Sequence, residues 1–263
     1  MGTRRQHKKQ FLENNPFCCF CGGYTPSTEI DHIPARVLFD NRQWPVGYEF
    51  PACQPCNKAS RHDEQVVGVL SRLYPEPKTG KEEKKFDERL RAVADNYPGL
   101  LEEMIPSADQ VQNALSKYNI RTPGKLPPGG LAFVSVKGPL VNRAVANFGR
   151  KLFLALYYKH TGKILPKEGG IAILWYSNLQ IENDEIPREL APLVSGFPNL
   201  ERSKMDLSDQ FFYRFGVTED LKASVFLAFF RRSFAILGYV NAAAVDIRLP
   251  EHATILRPYQ YDS

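Results

Sequence analysis

The sequence predicts an α+β protein: a small N-terminal module stapled through cysteines, a helical stretch, and an α+β part with a mostly antiparallel sheet. Three observations predict it. All five cysteines fall within the first 56 residues, as Cys18-x-x-Cys21 with Cys19 between, and as Cys53-x-x-Cys56. Val141, Val145, Phe148, Leu152 and Ala155 recur at helical intervals. Beyond them, runs rich in Phe, Val and Ile alternate with turn residues, as antiparallel strands do.

The cysteines come first. Thiols stay reduced in a cytosol, where paired C-x-x-C motifs read as metal ligands rather than disulfides. Cys18, Cys21, Cys53 and Cys56 suit a tetrahedral four-thiolate zinc site, because a short turn lets two thiolates converge on one ion. Gly22 and Gly23 permit that tight turn. Four thiolates close the coordination sphere, so this zinc is structural. Cys19 is left over as a small packed residue. Cys53→Ser is expected to loosen residues 16–66 and to leave the C-terminal part folded.

Between the cysteine pairs runs "STEIDHIPARVLF". Thr28 to Ile33 reads as a short strand ended by Pro34. Alternation places Glu29 and Asp31 on one face, Ile30 and His32 on the other. Asp31 offers a hard oxygen ligand, and His32 has an ordinary pKa near 6.5 that suits proton transfer. After the second pair, "CNKASRHDEQVVGVLSRLY" has helical spacing and carries Asn57 in its first turn.

This set, a cysteine pair, "IDHIP", then "CQPCN", resembles the HNH endonuclease family in its zinc-stapled form. The resemblance covers about residues 16–66. It implies a treble-clef-like ββα-metal module in which His32 is the general base. Asp31 and Asn57 would hold a catalytic divalent ion such as magnesium or manganese, with His62 as an additional candidate ligand. The family's middle Asn is missing; Tyr48 or Glu49 stands at its place. Arg36, Lys58 and Arg61 are candidate nucleic-acid contacts. Arg42 is a further charge near them. Trp44 and Tyr48 either stack on a base or form the small core under the zinc. The resemblance implies nucleic acid, DNA before RNA, as the substrate. The rival reading is a non-catalytic zinc module that binds nucleic acid or protein.

The remainder is less specific. Domains are expected at 1–75 (the zinc-stapled module), 76–130 (a helical linker region) and 131–263 (an α+β domain). Helices are expected over "FDERLRAVADNYPGLLEEMI" and over "SADQVQNALSKYN", where Ser107 and Gln110 form a capping box. "RTPGKLPPGG" is a loop. Strands are expected at "LAFVSV", "GGIAILWY", "DQFFYRFGV", within "ASVFLAFFRRSFAILGYV", and at "AAVDIRLP". The long helix should end at Gly162. His160 near that end reads as a dipole contact; Arg231 and Arg232, set among aromatics, read either as nucleic-acid contacts or as polar residues on a solvent edge of a sheet. The C-terminal domain is a candidate surface for a homodimer or protein partner. The net charge of +5 is mild. Arg4, Arg5, Lys8 and Lys9 read either as a phosphate-touching arm or as a frayed, solvated terminus. No apolar run reaches the roughly 20 residues needed to cross a bilayer. The first residues lack a secretory apolar stretch, and Gln6 does not suit myristoylation. A cytoplasmic protein without a membrane partner is expected.

Overall fold

A computed structural model describes residues 2–74, 79–120, 133–243 and 253–261. The N-terminal segment forms helix α1, Gly2–Asn14, rather than a frayed terminus. It has no breaker before Pro16, which disfavours helical backbone at Asn15. Strand β1, Glu29–His32, pairs antiparallel with β2, Glu49–Ala52, opposing Asp31 to Phe50 and His32 to Glu49. The helical stretch after Cys53 splits at Ser60 into α2, Gln54–Ala59, and α3, Arg61–Leu70.

Helix α4, Gly80–Asn96, and the short α5, Leu100–Glu103, are separated by Pro98 and Gly99, the latter at φ 81°. Helix α6, Ala108–Lys117, starts at the expected capping box of Ser107 and Gln110. Helix α7, Pro139–Thr161, begins with Pro at its first turn and ends at Gly162, whose φ of 67° suits a left-handed cap. It is followed by β3, Gly170–Ser177, and α8, Asn178–Glu182. A two-stranded ribbon comes next, β4 (Glu201–Arg202) and β5 (Met205–Asp206). The last strands are β6 (Phe211–Val217), β7 (Ala223–Phe230), β8 (Phe234–Asn241) and β9 (Thr254–Leu256). Strands β6-β7-β8-β3-β9, in that order, make one five-stranded antiparallel sheet. The fold is α+β.

Two expected segments differ. Residues 133–136 of "LAFVSV" form no strand. Ser135 N–H is taken by the Met104 carbonyl, and Val134 and Val136 pack against the core instead. "RTPGKLPPGG" and all but Ala243 of "AAVDIRLP" lie outside the described residues.

Helix α7 is the spine. Thirteen of its 23 residues are buried, because α3 covers one side and the sheet the other. One apolar cluster therefore runs from Cys18 to Tyr259. It takes in Cys53, Val66, Val93, Leu100, Phe148 and Phe226, so the segments 1–75, 76–130 and 131–263 share one core. The opposite face of the sheet is covered by Ile181, Ile186 and Leu190. Gly238 of β8 allows α7 to come close: a Cβ there would sit 2.3 Å from Phe153, itself fully buried. Gly238→Ala is expected to destabilise by about 1–3 kcal/mol through overpacking. Denaturant unfolding measures it, and an unchanged midpoint would refute the close approach.

Candidate metal centre and active site

Gly22 and Gly23, at φ 74° and 79°, fold the chain back so that Cys18 N–H reaches the Thr25 carbonyl at 2.9 Å. Cys53 leads into α2, which carries Cys56. The sulfur atoms of Cys18, Cys21, Cys53 and Cys56 all lie within 4.8 Å of one another, and all four residues are buried. The tail closes over this knuckle, with Tyr259 N–H on the Phe20 carbonyl at 2.9 Å. The thiols shift each other's ionisation in opposite directions. Cys21 pushes Cys18 up to about 12, while hydrogen bonds from Cys18 and Cys56 hold Cys21 well below the usual thiol range. Charging all four therefore requires a cation among them, and a buried thiolate set of this shape fits one structural metal ion. Cys19 is fully buried, with its thiol pushed up by burial. Its backbone N–H serves the Pro51 carbonyl.

Asp31 and His32 leave β1 on opposite sides. Asp31 points inward to Lys151 of α7, whose side chain is 1% exposed. The ammonium lies 2.7 Å from Asp31 Oδ2, off the line of a hydrogen bond, so the contact is an ion pair. The same ammonium donates to the Asn57 backbone carbonyl at 3.2 Å and to Glu64 Oε1 at 3.4 Å. Ser60, fully buried, donates to Glu64 Oε1 at 2.6 Å. Burial works to lower the Lys151 pKa, but Asp31 and Glu64 override it and hold the ammonium charged. Asp31 Oδ1 accepts the His32 backbone N–H at 2.8 Å.

This bears on the expected catalytic ion. Magnesium binds oxygen at about 2.0–2.1 Å and demands near-octahedral geometry. Here a fixed ammonium already stands against Asp31 Oδ2, and Asn57 faces it through its carbonyl. As folded, Asp31 does not fit a divalent ion.

His32 faces the other way and is partly open to solvent; its side chain is 17% exposed. Its ring meets the edge of Trp44 at 4.4 Å between centroids and 84° between planes. Arg36 Nη2 lies 2.6 Å from His32 Nε2, and Glu49 Oε1 lies 3.4 Å from the same nitrogen. Burial, then the charges of Arg36, Arg202 and Arg4, lower the His32 pKa to about 4. The ring is neutral at pH 7. Arg202 enters from the β4–β5 ribbon, its Nε–H on the Trp44 carbonyl.

The other expected residues lie apart from His32 or serve the core. Glu49, not Tyr48, is the neighbour of His32. Tyr48 is buried, its hydroxyl 2.8 Å from that of Tyr213. Lys58 and Arg61 are exposed on α2 and α3. His62 is exposed too, its Nδ1 3.3 Å from the Asn96 carbonyl. His160 stacks on Phe215 at 3.8 Å and meets the Tyr213 hydroxyl at 2.9 Å, so it is a packed ring rather than a dipole contact. Arg231 pairs with Asp40 at 2.8 Å. On α1, Lys8 pairs with Glu29 at 3.0 Å.

Sequence reasoning missed Lys151, Glu64 and Arg202. A signal for Lys151 existed: it falls on the buried stripe of α7, three residues after Phe148 and four before Ala155. Arg202 had none, because two residues of ribbon far along the chain carry no pattern. No family model, curated protein or solved structure matches this chain. Among the described residues no helix is long and apolar enough to cross a membrane.

Proposed function

We propose that this protein is a cytoplasmic HNH-type nuclease that hydrolyses phosphodiester bonds in nucleic acid, DNA by preference, and that Cys18, Cys21, Cys53 and Cys56 hold a structural zinc ion. The observation that carries the reading is His32. A neutral imidazole is held at the end of a strand beside the four-cysteine knuckle, with Arg4, Arg36 and Arg202 around it. A neutral ring can take a proton from water as the water oxygen attacks phosphorus. The guanidiniums meet the charge of the phosphate and of the leaving oxygen. Arg36 on Nε2 and the Trp44 ring hold the imidazole's orientation. Zinc, when bound, supplies folding energy and no step of the reaction.

One observation favours the rival, a non-catalytic zinc module that binds nucleic acid: Asp31 is tied to Lys151 instead of being open to a metal. A cleavage assay on plasmid DNA separates the two. General-base catalysis contributes about 10²–10⁴-fold, so His32→Ala is expected to slow cleavage by that factor. Metal content and fold should be unchanged. Because the neutral ring is the active form, cleavage should hold level as pH falls below the ordinary His value and drop only through about pH 4. Circular dichroism at the same pH monitors the fold. A His32→Ala protein that cleaves at the wild-type rate decides for the binding module.

A further inference from the structure

We propose that Arg36 and Arg202, both packed over the ring of Trp44 beside His32, are the phosphate-binding pair of this protein, seating a nucleic-acid phosphodiester there rather than on a divalent ion at Asp31. This deepens the nuclease reading and rests on it for the chemistry, but the binding claim is separately testable.

The guanidinium carbons lie 3.7 Å (Arg36) and 3.9 Å (Arg202) from the Trp44 ring centroid. Stacking fixes each guanidinium plane without using its N–H groups. Among the described residues neither guanidinium is in an ion pair, whereas Arg72 and Arg231 both hold Asp40. Arg36 Nε is buried without a partner. Arg202 uses its Nε on the Trp44 carbonyl, which aims the two terminal nitrogens away from that anchor. The ribbon is fastened to the same loop by Val46 N–H on the Glu201 carbonyl at 3.0 Å. Two planar guanidinium forks gathered at one ring offer paired N–H donors, the arrangement that phosphate oxygens accept. The site is thus assembled from two distant parts of the chain, and is incomplete without the C-terminal part.

Arg36 has a second consequence. Its Nη2 now donates to the neutral ring of His32 at 2.6 Å. An anionic phosphate oxygen is the stronger acceptor. Its arrival draws the guanidinium off the imidazole and leaves the Nε2 lone pair open to the attacking water. Arg36 is in this sense a positioning residue for His32.

The test uses the full chain as purified, in a Trp175→Phe background where Trp44 is the sole tryptophan. Inorganic phosphate and a short DNA duplex are titrated separately while Trp44 emission is followed, and DNA affinity is measured against salt. Emission is expected to respond to both. Arg202→Ala should weaken DNA binding about tenfold, and should flatten the log–log salt slope by about 0.9, as for one lost phosphate contact. A purely structural role would leave that slope unchanged. Arg188→Ala, on the far side of the sheet, should change neither. Wild-type affinity and slope in both Arg36→Ala and Arg202→Ala, with silent Trp44 emission, would overturn the phosphate pair. So would cleavage that mild chelation stops, with the cysteine-bound metal retained, and magnesium restores. If the variants lose affinity as expected but the wild type never cleaves, the phosphate pair stands and the nuclease reading fails.

Discussion

Cys53→Ser is expected to lose the cysteine-bound metal and to unfold the chain as a whole, not only residues 16–66. In zinc-finger peptides such a site contributes about 10–16 kcal/mol of apparent binding energy, while whole domains are stable by about 5–15 kcal/mol. Removing one thiolate ligand therefore removes a term as large as the net stability. The loss propagates because the four sulfurs sit in the same apolar cluster as α7 and the sheet. Phe20 of the knuckle also carries the tail, through Tyr259. The measurements are metal content per chain and a thermal melt followed at several probes. One metal ion per chain in the wild type, none in the variant, and a single transition moved far down is the expected result. Cys19→Ser should keep the metal, since the Cys19 sulfur is not among the four that cluster. Metal-free wild-type protein that melts normally would remove the structural-metal assignment.

The parts legible in the sequence were those that depend on short-range pattern. The four-cysteine cluster was readable because two thiols converge only over a short turn, so their spacing is local. Helix α7 was readable from its apolar intervals and its glycine stop, and α6 from its capping box. β3 and β6 were readable from apolar runs, and the β7–β8 hairpin from one such run broken at "RRS". The β2 strand "EFPA" was not, because four residues with a Pro among them look like loop until β1 supplies the partner. The strand expected at "LAFVSV" failed for the converse reason: its alternation is spent on the core beside α5 and α7, where no strand is free to pair. The site divided in the same way. Asp31 and His32 were identified together, and period-two alternation correctly sent them to opposite sides. What each side holds came from elsewhere in the chain. Lys151 is 120 residues beyond Asp31 and Arg202 is 170 beyond His32. Contacts at such separations follow from how α7 and the ribbon pack, which local spacing does not encode.

Lys151→Met is expected to be among the most damaging substitutions in the protein. Among the described residues the ammonium is the one positive charge in contact with both Asp31 and Glu64, and its side chain is 1% exposed. Breaking a buried pair by removing one partner costs about 3–5 kcal/mol, because the remaining charge is left without compensation. Here two carboxylates are left. They respond by retaining protons, so their folded-state pKa values rise above the unfolded ones. An acid whose pKa is raised by folding binds more protons folded than unfolded, and stability then falls as pH rises above the unfolded carboxylate range. The deficit of Lys151→Met should thus be larger at pH 7 than near pH 4. In the wild type burial already raises the Glu64 pKa, but Lys151 opposes it, so the fall with pH should be smaller. Urea unfolding at both pH values measures the difference. The triple variant Lys151→Met, Asp31→Asn, Glu64→Gln removes the stranded charges and should recover much of the loss. Equal stability of Lys151→Met and wild type at pH 7 would mean that the ammonium does not hold Asp31. The argument that Asp31 is closed to a divalent ion would then fall with it.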